Sequence, residues 1–340
     1  MAHLTPKENF LRVLRGDIPE WVPSFSYYGA LPGVDDDPPN MSFGSNLFMG
    51  DMSTGKDLWG VPVESVNAVG GFCLPKPGAF ILKDIRNWRD VIKAPDLSNI
   101  DWERVAKDGL DKLPYDRKNV AMGMSGGGGY FLHLMGFMGF TEGLLSYYEE
   151  PDAVKELYAY MHEYYMTVQT NLFDYVQPDF LSLSDDVAAE RAPFISEEMY
   201  REFLLPLYDD LARLARNRGV PINMHNCGAS AVFFDDLVRI GVNSWEPVQL
   251  VNDIHAIQAK FGRHLVIGGG WEGRGRLIEA DVTDEEIRQS VRDAFDAYAP
   301  NGGYMLAAAY TPGSLDDKRT AHWNAVLQNE AYVYGHTFYK

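Results

Sequence analysis

An α/β barrel is the fold this sequence predicts, and three observations predict it. Short apolar runs recur from residue 119 onward, among them "NVAMGM", "DFLSLSDD", "PINMH", "GVNSWE", "HLVIGG" and "GGYMLAA". Helix-length stretches separate or follow them at 151–176, 196–218, 231–239, 253–261, 284–298 and 316–334. Strands that alternate with helices run parallel, because each connection crosses back over a face of the sheet. About seven such βα units suit a closed barrel better than an open sheet. The third observation is size: 340 residues, with no internal repeat and no linker that would split the chain, is normal for one barrel domain over 1–340.

The elements follow in order. Thr5-Pro6-Lys7-Glu8 has the form of a capping box, with Thr5 as N-cap and proline in the first turn. That helix runs to about Arg15, and Gly16 stops it. "WVPSFSYYG" reads as a short strand that opens into an aromatic loop. Residues 29–55 are rich in Gly, Pro, Asp, Ser and Met without a period, so they predict a long functional loop such as a lid. Residues 61–69 and 78–84 alternate weakly around "LPKPG", which predicts a β-hairpin insertion. "SGGGGY" lacks the Lys-Ser/Thr of a phosphate loop and reads as a strand-to-helix turn, or as a close backbone approach to a large planar partner. The Tyr- and Met-rich helix 157–176 presents a core stripe.

Composition excludes several classes. No apolar run approaches the ~18 residues of a membrane span. The N-terminal segment has no apolar leader core, and two cysteines build no disulfide framework, so a reducing cytoplasm is expected. The formal charge is −18 and no Lys/Arg cluster supplies the basic footprint of a nucleic-acid binder. This acidity suits solubility, and fits a homodimer or a protein partner with a basic patch.

In a barrel, chemistry gathers at the C-terminal strand ends. Those ends carry Ser184-Asp185-Asp186, His225-Asn226-Cys227, Trp245-Glu246, Trp271-Glu272 and Tyr310-Thr311. His225 and Cys227 are two apart, so on a strand they share a face, and imidazole with thiolate is a ligand mix that zinc favours. A satisfied strand-end histidine beside a buried thiol is the plainer alternative. Asp185 and Asp186 suit substrate binding, a histidine partner, or a helix cap. Arg274 and Arg276 beside Trp271 suit an acidic ligand or a cofactor, or a salt bridge within the loop. His133, His162, His255, His264, His322 and His336 lack ligand spacing.

The opening "TPKENFLRVLRGDIPEWVP", the stretch "GFTEGLLSYYEEPDAVKEL" and the segment from Ser184 to Gly228 resemble the uroporphyrinogen decarboxylase superfamily. The resemblance spans nearly the whole chain and implies a single (β/α)8 TIM barrel, with an N-terminal helix and a hairpin insertion. One branch of that superfamily decarboxylates uroporphyrinogen without a cofactor, using an arginine-rich N-terminal motif. Here the matching region is "SFSYYGALPG", which has no arginine to meet the substrate's carboxylates. The other branch comprises zinc-dependent methyltransferases that work with corrinoid proteins, and His225-Asn226-Cys227 is similar to the first half of their zinc motif. Their later cysteine has no counterpart, since Ala307, Ala308 and Ala309 occupy the matching stretch and Cys73 is out of register.

The resemblance to cobalamin-independent methionine synthases implies Glu246 as the replacement ligand, with Glu272 and Tyr310 as weaker candidates. The reading it implies is a metal set of His225, Cys227 and Glu246. Asp186, Glu246 and Tyr310 are then the catalytic candidates, and Trp271, Arg274 and Arg276 would face the corrinoid. The expected activity is methyl transfer between a small methyl donor and a corrinoid carried by a partner protein. A ligand set with fewer thiolates favours Lewis-acid activation of an ether, as in O-demethylation. Tyr27, Tyr28, Trp245, Trp271 and Tyr310 would line a pocket for an aromatic methyl ether. A cofactor-free decarboxylase built on Asp186 is the alternative, and a non-catalytic corrinoid-binding subunit is a further one.

Overall fold

The computed structural model describes residues 4–25, 39–66, 72–310 and 318–340. Its strands are β1 (Ser24–Phe25), β2 (Asn40–Phe43), β3 (Val63–Val66), β4 (Phe72–Pro75), β5 (Met122–Gly128), β6 (Phe180–Ser184), β7 (Ile222–His225), β8 (Ser244–Val248), β9 (Val266–Gly269) and β10 (Tyr304–Ala307). Eight of them form one sheet in the order β1-β10-β9-β8-β7-β6-β5-β2, and every neighbour pair in it is parallel. The outermost two, β1 and β2, are consecutive in the chain. That order is the circuit of a TIM barrel opened between its first two strands. No β1–β2 pairing occurs among the described residues.

Side-chain alternation along these strands builds two cores. Leu181 and Leu183, Ile222 and Met224, Trp245, Ile267, Tyr304 and Leu306 pack outward into the helical layer. The residues between them point inward. At the floor of the barrel Phe25, Ala121, Phe180, Val266 and Met305 close around Phe10, Val13 and Leu14 of the N-terminal helix. Phe10 meets the Phe180 ring edge-on at 5.3 Å and stacks on Phe25 at 6.1 Å. Gly123 makes room for this packing, since a Cβ there would lie 2.3 Å from the Phe180 ring. Each buried phenylalanine contributes roughly 1.5–3 kcal/mol of transfer free energy.

The N-terminal helix (Pro6–Leu14) opens with the expected capping box, in which Thr5 accepts from the Glu8 N–H and Glu8 reaches back to Thr5. Lys7 then ties it to Asp179 at the start of β6 (2.6 Å). The helix Pro151–Val176 has the predicted bounds. Five expectations need correction. The hairpin pairs Val63 with Pro75 and Val66 with Phe72, so its second arm ends in "LPKPG" rather than starting after it. Residues 40–43 and 45–49 are a strand and a short helix, not loop. The strand takes its hydrogen bonds from β5, a tertiary pairing that no local period reveals. "SGGG" belongs to β5, and Gly127, Gly128 and Gly129 all take positive φ on the way into the helix Tyr130–Met138. The predicted helix 196–218 is two, Glu197–Phe203 and Leu205–Arg216. Pro206 has no N–H to offer the preceding turn, and the helix breaks there. Finally, β8 continues to Val248, which puts Glu246 inside the strand rather than at its end.

No helix among the described residues is long and apolar enough to cross a membrane.

Candidate metal centre

Register brings the candidate residues together. Ser184, His225 and Glu246 occupy one row across β6, β7 and β8, and all three strands point it toward the C-terminal mouth. Asp186 follows β6 by two residues and Cys227 follows β7 by two, so both stand just above that row. Asp186 Oδ1 accepts the Cys227 backbone N–H at 2.7 Å, which locks the two loops together.

The His225 ring is used on both sides. Its Nδ1 lies 3.1 Å from Glu246 Oε2. Its Nε2 lies 3.5 Å from Cys227 Sγ and 3.7 Å from Asp186 Oδ1. Ligand atoms of Asp186, His225 and Cys227 all fall within 4.8 Å of one another. Glu246, expected among the ligands, lies at Nδ1, whereas Asp186 and Cys227 lie at Nε2. The site is partly open to solvent: the Asp186 side chain is 33% exposed and that of His225 18%.

Burial works against charge throughout this cluster. Burial pushes the Asp186 carboxyl up, against the Cys227 N–H that holds it down. Burial raises the Cys227 thiol, and the neighbouring Asp186 and Glu246 charges raise it further. Glu246 is fully buried and lifted well above the usual carboxylate range by burial, although the Asn223 amide opposes this. Burial holds His225 down to about 4, so its imidazole is neutral and fit to ligate. A bound divalent cation reverses the cost of gathering a thiolate and carboxylates in one buried place.

The donor set fits zinc. One nitrogen, one sulfur and one oxygen are all zinc ligands, and three protein ligands leave the open position that catalytic sites keep. A carboxylate on the far nitrogen of a ligating histidine is the usual orienting partner in such centres.

Asp185 does different work from its neighbour. It is fully buried and accepts from the N–H groups of Phe131 (3.0 Å) and Leu132 (3.1 Å), capping the N-terminus of Tyr130–Met138. The Tyr208 hydroxyl donates to it at 2.6 Å. Burial pushes its carboxyl up to about 7, against these three donors.

The remaining candidates are placed as follows. Tyr310 is buried edge-on to Trp271, with ring centres 5.0 Å apart, and its hydroxyl has no hydrogen-bond partner among the described residues. Trp271 donates to Ser290 Oγ at 2.8 Å. Glu272 accepts from the Leu250 N–H and binds Arg274 at 3.0 Å, a tie within the loops. Arg276 is held by Glu279, Asp281 and Glu286 at 2.5–2.8 Å. Trp245, expected in the pocket, instead faces the helical layer, where it stacks on Phe234 at 4.0 Å. Tyr27, Tyr28 and Thr311 lie outside the described residues. Sequence reasoning did not single out Ser182, Asn223 or Ser244, a buried polar row directly beneath His225 and Glu246. Their signal was a polar residue two positions before Ser184, His225 and Glu246 on each of three adjacent strands.

The family model for uroporphyrinogen decarboxylase (URO-D) matches residues 110–311, more than half of the chain. This chain belongs to the URO-D family. The match runs from just before β5 to just after β10, and so contains the whole cluster. No curated protein matches this URO-D family member. Among solved structures, its fold is similar to that of a methyltransferase from Methanosarcina mazei. That match has 12% identity and a TM-score of 0.61, and covers 99% of this chain and 100% of the other. A B12-independent methionine synthase from Shewanella sp. W3-18-1 aligns at 9% identity and a TM-score of 0.44, over 82% of this chain and 76% of the other.

Proposed function

We propose that this URO-D family member is a zinc-dependent methyltransferase. It would move a methyl group between a small methylated or methoxylated compound and a corrinoid carried by a partner protein in the cytoplasm. The observation that carries the reading is the convergence of Asp186, His225 and Cys227, with Glu246 behind the histidine. In this reading Asp186, His225 and Cys227 hold the ion. Zinc, when bound, supplies a Lewis acid able to polarise an ether oxygen or to acidify a thiol. Glu246 keeps a proton on His225 Nδ1, so that Nε2 is the free donor. Cys227 gives up its thiol proton as a ligand. The Tyr310 hydroxyl, buried without a partner among the described residues, is available to a substrate oxygen.

The test compares zinc content and methyl transfer to a free corrinoid in wild type, His225→Ala, Cys227→Ala and Asp186→Asn. The expected result is about one zinc per wild-type chain, with zinc and activity lost together in the variants. A metal-free wild type of full activity would sink the zinc mechanism, and would favour the cofactor-free decarboxylase instead.

A further inference from the structure

The row beneath the metal cluster is polar where the barrel floor is apolar. Ser182, Asn223 and Ser244 are partners in register on β6, β7 and β8, and all three are buried. Asn223 Oδ1 accepts from the Ser244 hydroxyl at 2.8 Å. Its amide nitrogen donates to Ser182 Oγ at 3.1 Å and to Glu246 Oε1 at 2.9 Å. The other Glu246 oxygen meets His225 Nδ1 at 3.1 Å. Asn223 lies two residues below His225, and Ser244 two below Glu246, so the same pleat carries both rows. Gly268 on β9 keeps the Glu246 side of the row open: a Cβ there would lie 2.9 Å from the Glu246 Cβ.

We infer that Asn223 is a positioning residue for the metal centre. Ser182 and Ser244 hold its amide in one orientation, with the nitrogen toward Glu246. That amide fixes the plane of the Glu246 carboxylate. The carboxylate in turn holds the His225 ring with Nε2 aimed at Asp186 and Cys227. Apolar side chains would fill this interior without the desolvation of four polar groups, as they do at the floor. A buried network satisfied from end to end specifies one orientation, which an apolar row cannot do. The inference rests on the reading that His225 is a metal ligand.

Cobalt(II) replaces zinc in sites of this kind and reports ligand geometry through its visible bands. The experiment titrates cobalt chloride into metal-stripped wild type, Asn223→Ala and Ser244→Ala, and records affinity and the spectrum at saturation. In parallel, nitrogen-15 shifts of the His225 imidazole are read in the metal-free proteins. Asn223→Ala is expected to bind cobalt about 10–100-fold more weakly and to show displaced bands even when saturated. Its metal-free imidazole should lose the single Nδ1–H signature of wild type. Ser244→Ala should shift the same three readouts in the same direction by less, and it carries the test if Asn223→Ala does not fold. A merely structural role would lower stability and leave the saturated spectrum and the imidazole shifts unchanged, and that outcome overturns the inference. Wild type that takes up no cobalt overturns the metal reading itself, and the positioning role with it.

Discussion

The floor of the barrel and its upper interior on β6–β8 meet on one strand, β6, and do opposite things. Phe180 and Ser182 are two residues apart on β6, both inward and both buried. Phe180 joins an apolar plug sealed by the N-terminal helix, whereas Ser182 starts the hydrogen-bonded column that ends at His225. The lower layer supplies stability without direction. The upper layer gives up some of that stability and gains orientation, because hydrogen bonds are directional and apolar contacts are not.

Breaking the floor should give the largest effect. Phe180→Ala removes a ring that touches Phe10 and Phe25, and is expected to destabilise by about 3–5 kcal/mol in chemical denaturation. Zinc uptake by the molecules that remain folded should be unchanged. If metal affinity falls in step with stability, the two layers are not separable.

Glu246→Gln tests the upper layer from within. The shape is kept, but one of the two oxygens that face the Asn223 amide and His225 Nδ1 becomes an NH2 group, so zinc affinity should drop about 10–100-fold, with little change in denaturation midpoint. Competition with a coloured chelator measures it.

The pH dependence of zinc binding sharpens the same point. The Cys227 thiol is raised above its ordinary value and so is protonated at neutral pH, whereas His225, held down to about 4, is already neutral. Binding must therefore expel a proton from Cys227, and affinity should rise about tenfold per pH unit through the neutral range. Calorimetry in two buffers of different ionisation enthalpy counts the protons released. A pH-independent affinity would mean that the thiol is not a ligand.

Tyr208→Phe should give the smallest change. It removes one donor to Asp185 and is expected to cost about 1–2 kcal/mol of stability. Zinc uptake should be unaffected, since Asp185 caps a helix and Asp186 faces the metal cluster.

The sequence alone determined the class of fold, because alternating apolar runs and capped helices are local signals with local causes. Thr5 and Glu8 form their capping box, and the helix Pro151–Val176 has the bounds its pattern implies. The pairing of imidazole and thiol was also legible, since His225 and Cys227 lie two residues apart. Tertiary structure alone decided which carboxylate lies beside which nitrogen of the His225 ring. His225 and Glu246 lie on β7 and β8 and Asp186 just beyond the end of β6, and their meeting follows from inter-strand register, which no single segment encodes. The same holds for Asn223: one polar residue in "PINMH" means little until Ser182, Ser244 and Glu246 close around it. Residues 40–43, aperiodic as sequence, became a strand because β5 offered an edge. Local chemistry chose the elements, and the geometry of the parallel sheet chose which of their side chains meet.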